Sequence, residues 1–281
     1  MKDILSVIAE RTRERVIEQK QIKSYSEVIR QAEAMCTGAE VRLAQAMEAT
    51  CDQEPLFPFQ EALSREEMSF ICEVKKASPS KGVLDETFPY VKIAAEYEAA
   101  GAAAISVLTE PYWFLGSGQY LKEIREIVKL PILRKDFTVD PYQIYESKLL
   151  GADAILLICA LMEEPFLKEC LQIAKQLGLS ALVEAHTETE AEMAVNAGAE
   201  IIGVNNRNLK TFEVDLETSI RLRKLVPDSI LFVSESGIKT AAEIKRLKSH
   251  SVNGVLIGET LMRSSDKKRM LSELRGESGE E

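Results

Sequence analysis

From Phe70 onward, short apolar runs alternate with amphipathic stretches of helical period, and the alternation occurs eight times. The runs are FICEVK (70–75), AAISVL (103–108), PILRK (131–135), DAILLI (153–158), SALVE (180–184), EIIGVN (200–205), ILFVSE (230–235) and NGVLIG (253–258). Their length and apolar content predict a strand at each. The segments 87–100, 139–149, 163–177 and 187–197 are rich in Ala, Glu, Lys and Leu and predict helices. Several run into a stop at Gly101, Gly151, Gly178 or Gly198.

Strands alternating with crossover helices make a parallel sheet, and start-to-start spacings of roughly 20 to 33 residues suit that unit. An open doubly wound sheet is the rival. No G-x-G-x-x-G follows the first strand, whereas glycine-containing turns follow the seventh and eighth, where barrels often hold phosphate. The pattern therefore predicts an α/β protein, a (β/α)8 TIM barrel spanning 70–275, with an N-terminal helical extension over 1–69 and a polar tail at 276–281. In the extension, helices are expected from Asp3 to about Gln21 and from Ser26 to Ala49. A link containing Pro55 and Pro58 and a short helix from Phe59 to Arg65 follow. The extension could plug one end of the barrel or cover a mouth, and both readings stay open here.

Period-two alternation sorts the strand residues by face. Ile71, Glu73 and Lys75 share one face of the first strand, with Phe70, Cys72 and Val74 on the other. Charges cannot point outward against apolar helices, so Glu73 and Lys75 should point into the barrel. Lys135 on the third strand, Glu184 on the fifth, Asn205 on the sixth and Glu235 on the seventh obey the same phase, and all fall at C-terminal strand ends. Leu108, Phe137, Leu156 and Ile158 are apolar neighbours on that face, against which an aromatic substrate could rest. A buried ion-pair network is the structural alternative. Burying five charges costs several kcal/mol apiece before pairing, so stability alone explains them poorly. A crowded mouth would also let a lysine beside a second cation lose its proton readily.

Composition narrows the chemistry further. The 281 residues hold 35 Lys and Arg against 45 Asp and Glu, a net charge of −10 that works against nucleic acid and anionic membranes. Five widely spaced cysteines without a C-x-x-C pair suggest neither a disulfide framework nor a structural zinc, and fit a reducing cytoplasm. No metal site is expected. No run approaches the length of a membrane span. With only His186 and His250 present, acid–base work must lean on Lys, Glu, Asp or Tyr. His186 reads as a loop residue beyond Glu184, and Trp113 as a loop residue that is either surface or wall.

The turns SESGI (234–238) and LIGETLM (256–262) each follow a strand and can turn backbone N–H groups toward an anion. A tight turn needing positive φ at Gly237 and Gly258 is the alternative. SPSKG (78–82) adds Ser78 and Lys81, and read alone is simply a turn.

Taken together, EVKKASPSKG (73–82), SVLTEPYWFLGS (106–117), PILRKDF (131–137), LVEAHT (182–187), IGVNNRNLKTF (202–212), SESGI and IGETLM resemble the indole-3-glycerol-phosphate synthase family. The resemblance covers the barrel and, through FQEAL (59–63), the extension. It implies ring closure of 1-(2-carboxyphenylamino)-1-deoxyribulose 5-phosphate with loss of carbon dioxide and water, and no cofactor. It implies Glu73, Lys75, Lys135, Glu184, Asn205 and Ser236 as catalytic positions, supported by Arg207 and Glu235. The phosphate of the small-molecule substrate would meet Ser78, Gly237, Gly258 and the backbone of Glu259, a residue that departs from the Ser of some relatives. A Schiff-base aldolase and a non-catalytic phosphate-binding barrel are the rivals, and borohydride trapping of a lysine adduct would mark the aldolase. A single-function protein, monomeric or weakly self-associating, is expected.

Overall fold

The computed structural model describes residues 4–46, 57–208 and 211–277, with the side chains of 37–46 left aside. Eight parallel strands close into a barrel: β1 (Ser69–Val74), β2 (Ala104–Leu108), β3 (Ile132–Lys135), β4 (Ala154–Ile158), β5 (Ser180–Ala185), β6 (Ile201–Asn205), β7 (Leu231–Glu235) and β8 (Gly254–Ile257). Each strand pairs with its chain neighbours, and β1 closes the ring by pairing Phe70 with Val255 and Cys72 with Ile105.

The two faces of the strands feed two cores. Ile71, Leu133, Leu156, Leu182, Ile201, Val233 and Leu256 fill the barrel interior. Cys72, Val74, Val107, Ile155, Val183 and Phe232 face the helices. The alternation in the sequence thus sets the layers, because successive side chains on a pleated strand point to opposite sides.

The outer ring comprises α4 (Tyr90–Ala99), α5 (Gly118–Ile127), α6 (Tyr142–Leu150), α7 (Glu164–Gln176), α8 (Glu188–Ala197), α9 (Glu217–Arg223), α10 (Ala241–Lys248), α11 (Glu259–Arg263) and α12 (Lys267–Arg275). Their ends carry expected chemistry. Thr240 and Glu243 form a reciprocal capping box on α10, Thr187 caps α8, and Gly151 and Gly198 end α6 and α8 in the left-handed region. Helices α7 and α8 match the expected 163–177 and 187–197 to within one residue at each end, while α4 and α6 begin three residues inside 87–100 and 139–149 and α6 runs one residue further.

The extension does both things that the sequence left open. Helix α1 (Ile4–Ile22) places Ile4, Leu5 and Ile8 over the C-terminal mouth. At the opposite end α3 (Pro58–Leu63) presses Phe59 and Leu63 into the barrel interior, and Ser69 at the start of β1 donates to the Ala62 carbonyl at 2.8 Å. Helix α2 (Tyr25–Ala46) sends Val28 against Tyr142 of α6. Asp3, Ala49, Pro55 and the tail from 278 onward lie outside the described residues.

Candidate functional site

The C-terminal mouth holds a cavity of about 840 Å³. Its walls include Glu73, Lys75, Lys135, Glu184, Asn205, Glu235 and Ser236, together with Ser78, Arg207, Gly237, Gly258, Glu259, Leu108, Phe137, Leu156 and Ile158. Every residue that the sequence put forward for catalysis or substrate binding therefore lines one cavity. The reason is register: Asn205 is the ladder partner of Glu235, Glu184 of Gly203, and Leu108 of Lys135, so in-phase residues reach the rim together.

Two ion-pair groups organise the floor. Lys75 pairs with Glu73. Lys135 donates to Glu184 at 3.0 Å and to Glu235 at 2.5 Å, and Asn205 donates to the other oxygen of Glu184 at 3.4 Å. Glu73, Glu184 and Glu235 are all at least nine-tenths buried.

This arrangement corrects the expectation of a lysine that sheds its proton easily. Burial works against the Lys135 charge, but Glu235, Glu184 and Glu73 outweigh it and the ammonium holds its proton more tightly than an ordinary lysine. Glu184 shows the converse: burial pushes it up, yet Lys135 and then His186 pull it below the usual carboxylate range. Glu235 goes the other way, because burial and its anionic neighbours Glu184 and Glu73 overcome Lys135 and raise it to about 7. Three carboxylates share one region with two ammonium groups, and Glu235 is the one left under-compensated.

Glycines at the rim act in different ways. Gly237 has φ +84° and follows Ser236 at φ +69°, so a non-glycine residue is held in the left-handed region beside the cavity. Gly258 departs from the expected positive φ, with φ −114°. It is glycine for space: a Cβ there would overlap the Glu73 carboxylate and crowd the Lys75 ammonium. Around the same end, Ser78 and Lys81 lie on a small antiparallel hairpin (77–78 with 82–83), more than the simple turn expected. The Glu259 carboxylate lies 3.4 Å from Lys81, 3.2 Å from Arg263 and 3.9 Å from Arg207.

The other end is apolar. Phe137 and Phe114 stand with ring centroids 6.0 Å apart, beside Leu108, Leu156 and Ile158 and beneath Ile4 and Ile8 of α1. The sequence reading missed Phe114, which lines the cavity where its neighbour Trp113 does not. Glu110 sets that loop by accepting the backbone N–H of Tyr112, Trp113 and Phe114. Helix α1 was missed as a wall because its apolar residues belong to no strand period. His186 sits in the loop after β5 as expected, but its ring lies between two carboxylates, with Nδ1 hydrogen-bonded to Glu190 and Nε2 in ion-pair distance of Glu184, each at 3.3 Å. Its phase, two residues past Glu184, was the available signal.

A family model described as indole-3-glycerol phosphate synthase matches residues 8–274. An indole-3-glycerol phosphate synthase of Ruminiclostridium cellulolyticum is 62% identical over 220 residues, covering 78% of this chain and 85% of that protein. One of Lachnoclostridium phytofermentans is 49% identical over 272 residues, covering 97% and 98% respectively. Among solved structures, a 3-hexulose-6-phosphate synthase superposes with a TM-score of 0.62 at 12% identity, over 74% of this chain and 99% of that one. That likeness concerns the barrel fold alone.

Proposed function

Starting from the chain's membership of the indole-3-glycerol phosphate synthase family, whose reaction is a decarboxylating ring closure in tryptophan biosynthesis, we propose how the mouth divides that work. The substrate is a phosphorylated small molecule, 1-(2-carboxyphenylamino)-1-deoxyribulose 5-phosphate. Its aromatic end rests among Leu108, Phe137, Leu156 and Ile158, and its phosphate among Ser78, Arg207 and the N–H groups of Gly237, Gly258 and Glu259. The observation that supports this is the polarity of the cavity, apolar under α1 and lined beside the Gly258 turn by Lys81 and Arg207, which share the Glu259 carboxylate.

Lys135 is the general acid. As the ring carbon bearing the carboxylate attacks the ketone carbon, a proton from Nζ neutralises the developing alkoxide. Lys75 holds the substrate carboxylate, which leaves as carbon dioxide and restores the benzene ring, and then assists departure of the new hydroxyl as water. Glu184 accepts the carbon-bound proton lost as the pyrrole ring forms. Glu73 pairs with Lys75 and keeps it placed, while Asn205 orients Glu184, Glu235 holds Lys135, and Ser236 borders the reacting centre. A tightly held proton on Lys135 keeps the acid loaded, and displacement of Glu235 by the substrate carbonyl would release it.

The residues 1–69, 70–275 and 276–281 act as cover, catalytic barrel and tail of one unit, with no cofactor. We propose further a monomer or weak homo-oligomer working in the cytoplasm, which the buried thiols of Cys72, Cys159 and Cys170 suit. Turnover of the carboxyphenylamino substrate, followed by indole fluorescence, tests the scheme. Glu184→Gln is expected to abolish product, and borohydride to trap no lysine adduct. A Glu184→Gln enzyme of near-normal turnover would move the base elsewhere.

A further inference from the structure

The division of labour above leaves His186 without a task. Its ring lies outside the cavity wall, behind the carboxylate assigned as base. Nδ1 shares a hydrogen bond with Oε2 of Glu190 at 3.3 Å, while Nε2 stands 3.3 Å from Oε1 of Glu184 as an ion-pair contact without hydrogen-bond geometry. A neutral imidazole has one N–H and one lone pair, so only the doubly protonated ring can face a carboxylate at both nitrogens. Glu190 is itself anchored. Its Oε2 accepts the His186 backbone N–H at 2.8 Å, and its own N–H donates to Thr187 in the first turn of α8.

We propose that His186 is a positioning residue for Glu184: clamped as an imidazolium by Glu190, it fixes the Oε1 edge of the base and keeps that carboxylate ionised. The inference rests on the assignment of Glu184 as base. Without the imidazolium, Glu184 would have only Lys135 as cationic partner among the described residues, shared with Glu235 at 2.5 Å. With it, each oxygen of Glu184 has its own cation, Oε2 facing Lys135 and Oε1 facing His186. Four carboxylates (Glu73, Glu184, Glu190 and Glu235) then meet three cations (Lys75, Lys135 and His186), and the under-compensated Glu235 accounts for the difference.

The groups that face this ring belong to five elements. Glu184 comes from β5, Glu190 from α8, and Lys135, reached through Glu184, from β3. Asn205 of β6 touches the same Glu184 oxygen. Cys159, just past β4, feels both Glu190 and Glu184, but burial first and those anions second push its thiol up to about 12, so it adds no charge. Burial disfavours the charged ring, yet Glu184 and Glu190 outweigh it and raise His186 to about 10. The cluster therefore keeps one protonation state across the working range rather than switching within it.

Because the chain has two histidines, His250→Gln leaves a single imidazole to observe. Long-range ¹H–¹⁵N correlation spectra of that protein are expected to show a doubly protonated His186 ring through neutral pH, titrating near 10, with a lower midpoint in a Glu190→Gln background. A ring that is neutral at pH 7.5 overturns the proposal. In turnover assays His186→Asn, which keeps a donor and loses the charge, is expected to lower kcat by about ten-fold and leave KM within about two-fold. The loss should deepen on the acid side of the pH profile. A profile of unchanged shape, with reduced stability alone, marks His186 as merely structural and also overturns it. Glu184→Gln separates the two readings: if that enzyme turns over normally the base assignment fails, while the imidazole spectra of the Glu184 protein still report whether the clamp exists.

Discussion

Gly203 of β6 stands where a Cβ would overlap Oε1 of Glu235, the carboxylate whose other oxygen holds Lys135. The glycine thus leaves room for the carboxylate that holds Lys135, the proposed acid, although it carries no chemistry itself. Gly203→Ala should displace Glu235 and with it Lys135, lowering kcat by about 100-fold while the barrel still folds. Turnover beside a thermal melt checks this, and unchanged kcat would show that Glu235 does not place the lysine.

The two lysines should separate kinetically. Lys135→Met is expected to lower kcat by about 10²- to 10⁴-fold if it removes the proposed acid. Lys75→Met should raise KM as well, because it also loses the hold on the substrate carboxylate. Near-normal turnover of Lys135→Met beside loss in Lys75→Met would reverse the assignment.

Docking of α1 depends on one buried pair. Arg15 donates to Asp136 at 2.8 Å, and Asp136 also accepts from Thr109 and Arg134 immediately beyond Lys135. Burial pushes Asp136 up, but Arg15 and Arg134 bring it below the usual carboxylate range. Arg15→Ala leaves that anion short of a partner, and a loss of about 3 kcal/mol in urea unfolding is expected. KM should rise too, since α1 roofs the apolar end. A variant as stable as the parent would show that α1 docks by its apolar face alone.

Glu259 draws on the same cations proposed to meet phosphate. Glu259→Gln should free Lys81, Arg207 and Arg263 and tighten inorganic phosphate, measured as a competitive inhibitor, by about three-fold. Weaker inhibition would mean that the carboxylate organises the site rather than competing in it.

Stability should decline on the alkaline side. His186, raised from 6.5 to about 10 in the fold, binds more proton folded than unfolded between those values. Its contribution is complete below pH 6.5 and is lost as pH rises through 10. Chemical denaturation should therefore show a fall of roughly 3 to 4 kcal/mol from pH 7 to pH 10, and a smaller fall in His186→Asn. Equal slopes in both proteins would remove His186 as the cause.

Much of this was legible beforehand. The eight apolar runs marked the strands because alternation is enforced locally by the pleat, and the charged residues in phase with Ile71 or Leu133 face inward, whereas Arg134, out of that phase, is buried against Ser147 and Glu146 of α6. Helix α1 was legible as a helix and not as a roof, since nothing in a 3.6-residue period says which distant surface it meets. Phe114 lay in a loop with no period at all. Its direction comes from Glu110, whose carboxylate gathers three successive N–H groups.

The sequence by itself determined the element order, the face on which each strand residue falls and the end of the barrel where chemistry gathers, because these follow from local geometry and the cost of stranding charge against apolar helices. Only the tertiary structure decided who meets whom across the mouth. Lys135 pairs with Glu184 and Glu235, Gly258 yields space to Glu73, and His186 lies against Glu184, since those contacts depend on barrel closure and on how strands far apart in the chain are staggered. The proton affinities follow the same division. A residue's type sets its ordinary value, but the balance of burial and neighbouring charge, which moves Lys135 and Glu235 upward and Glu184 downward, exists only once the ring has closed.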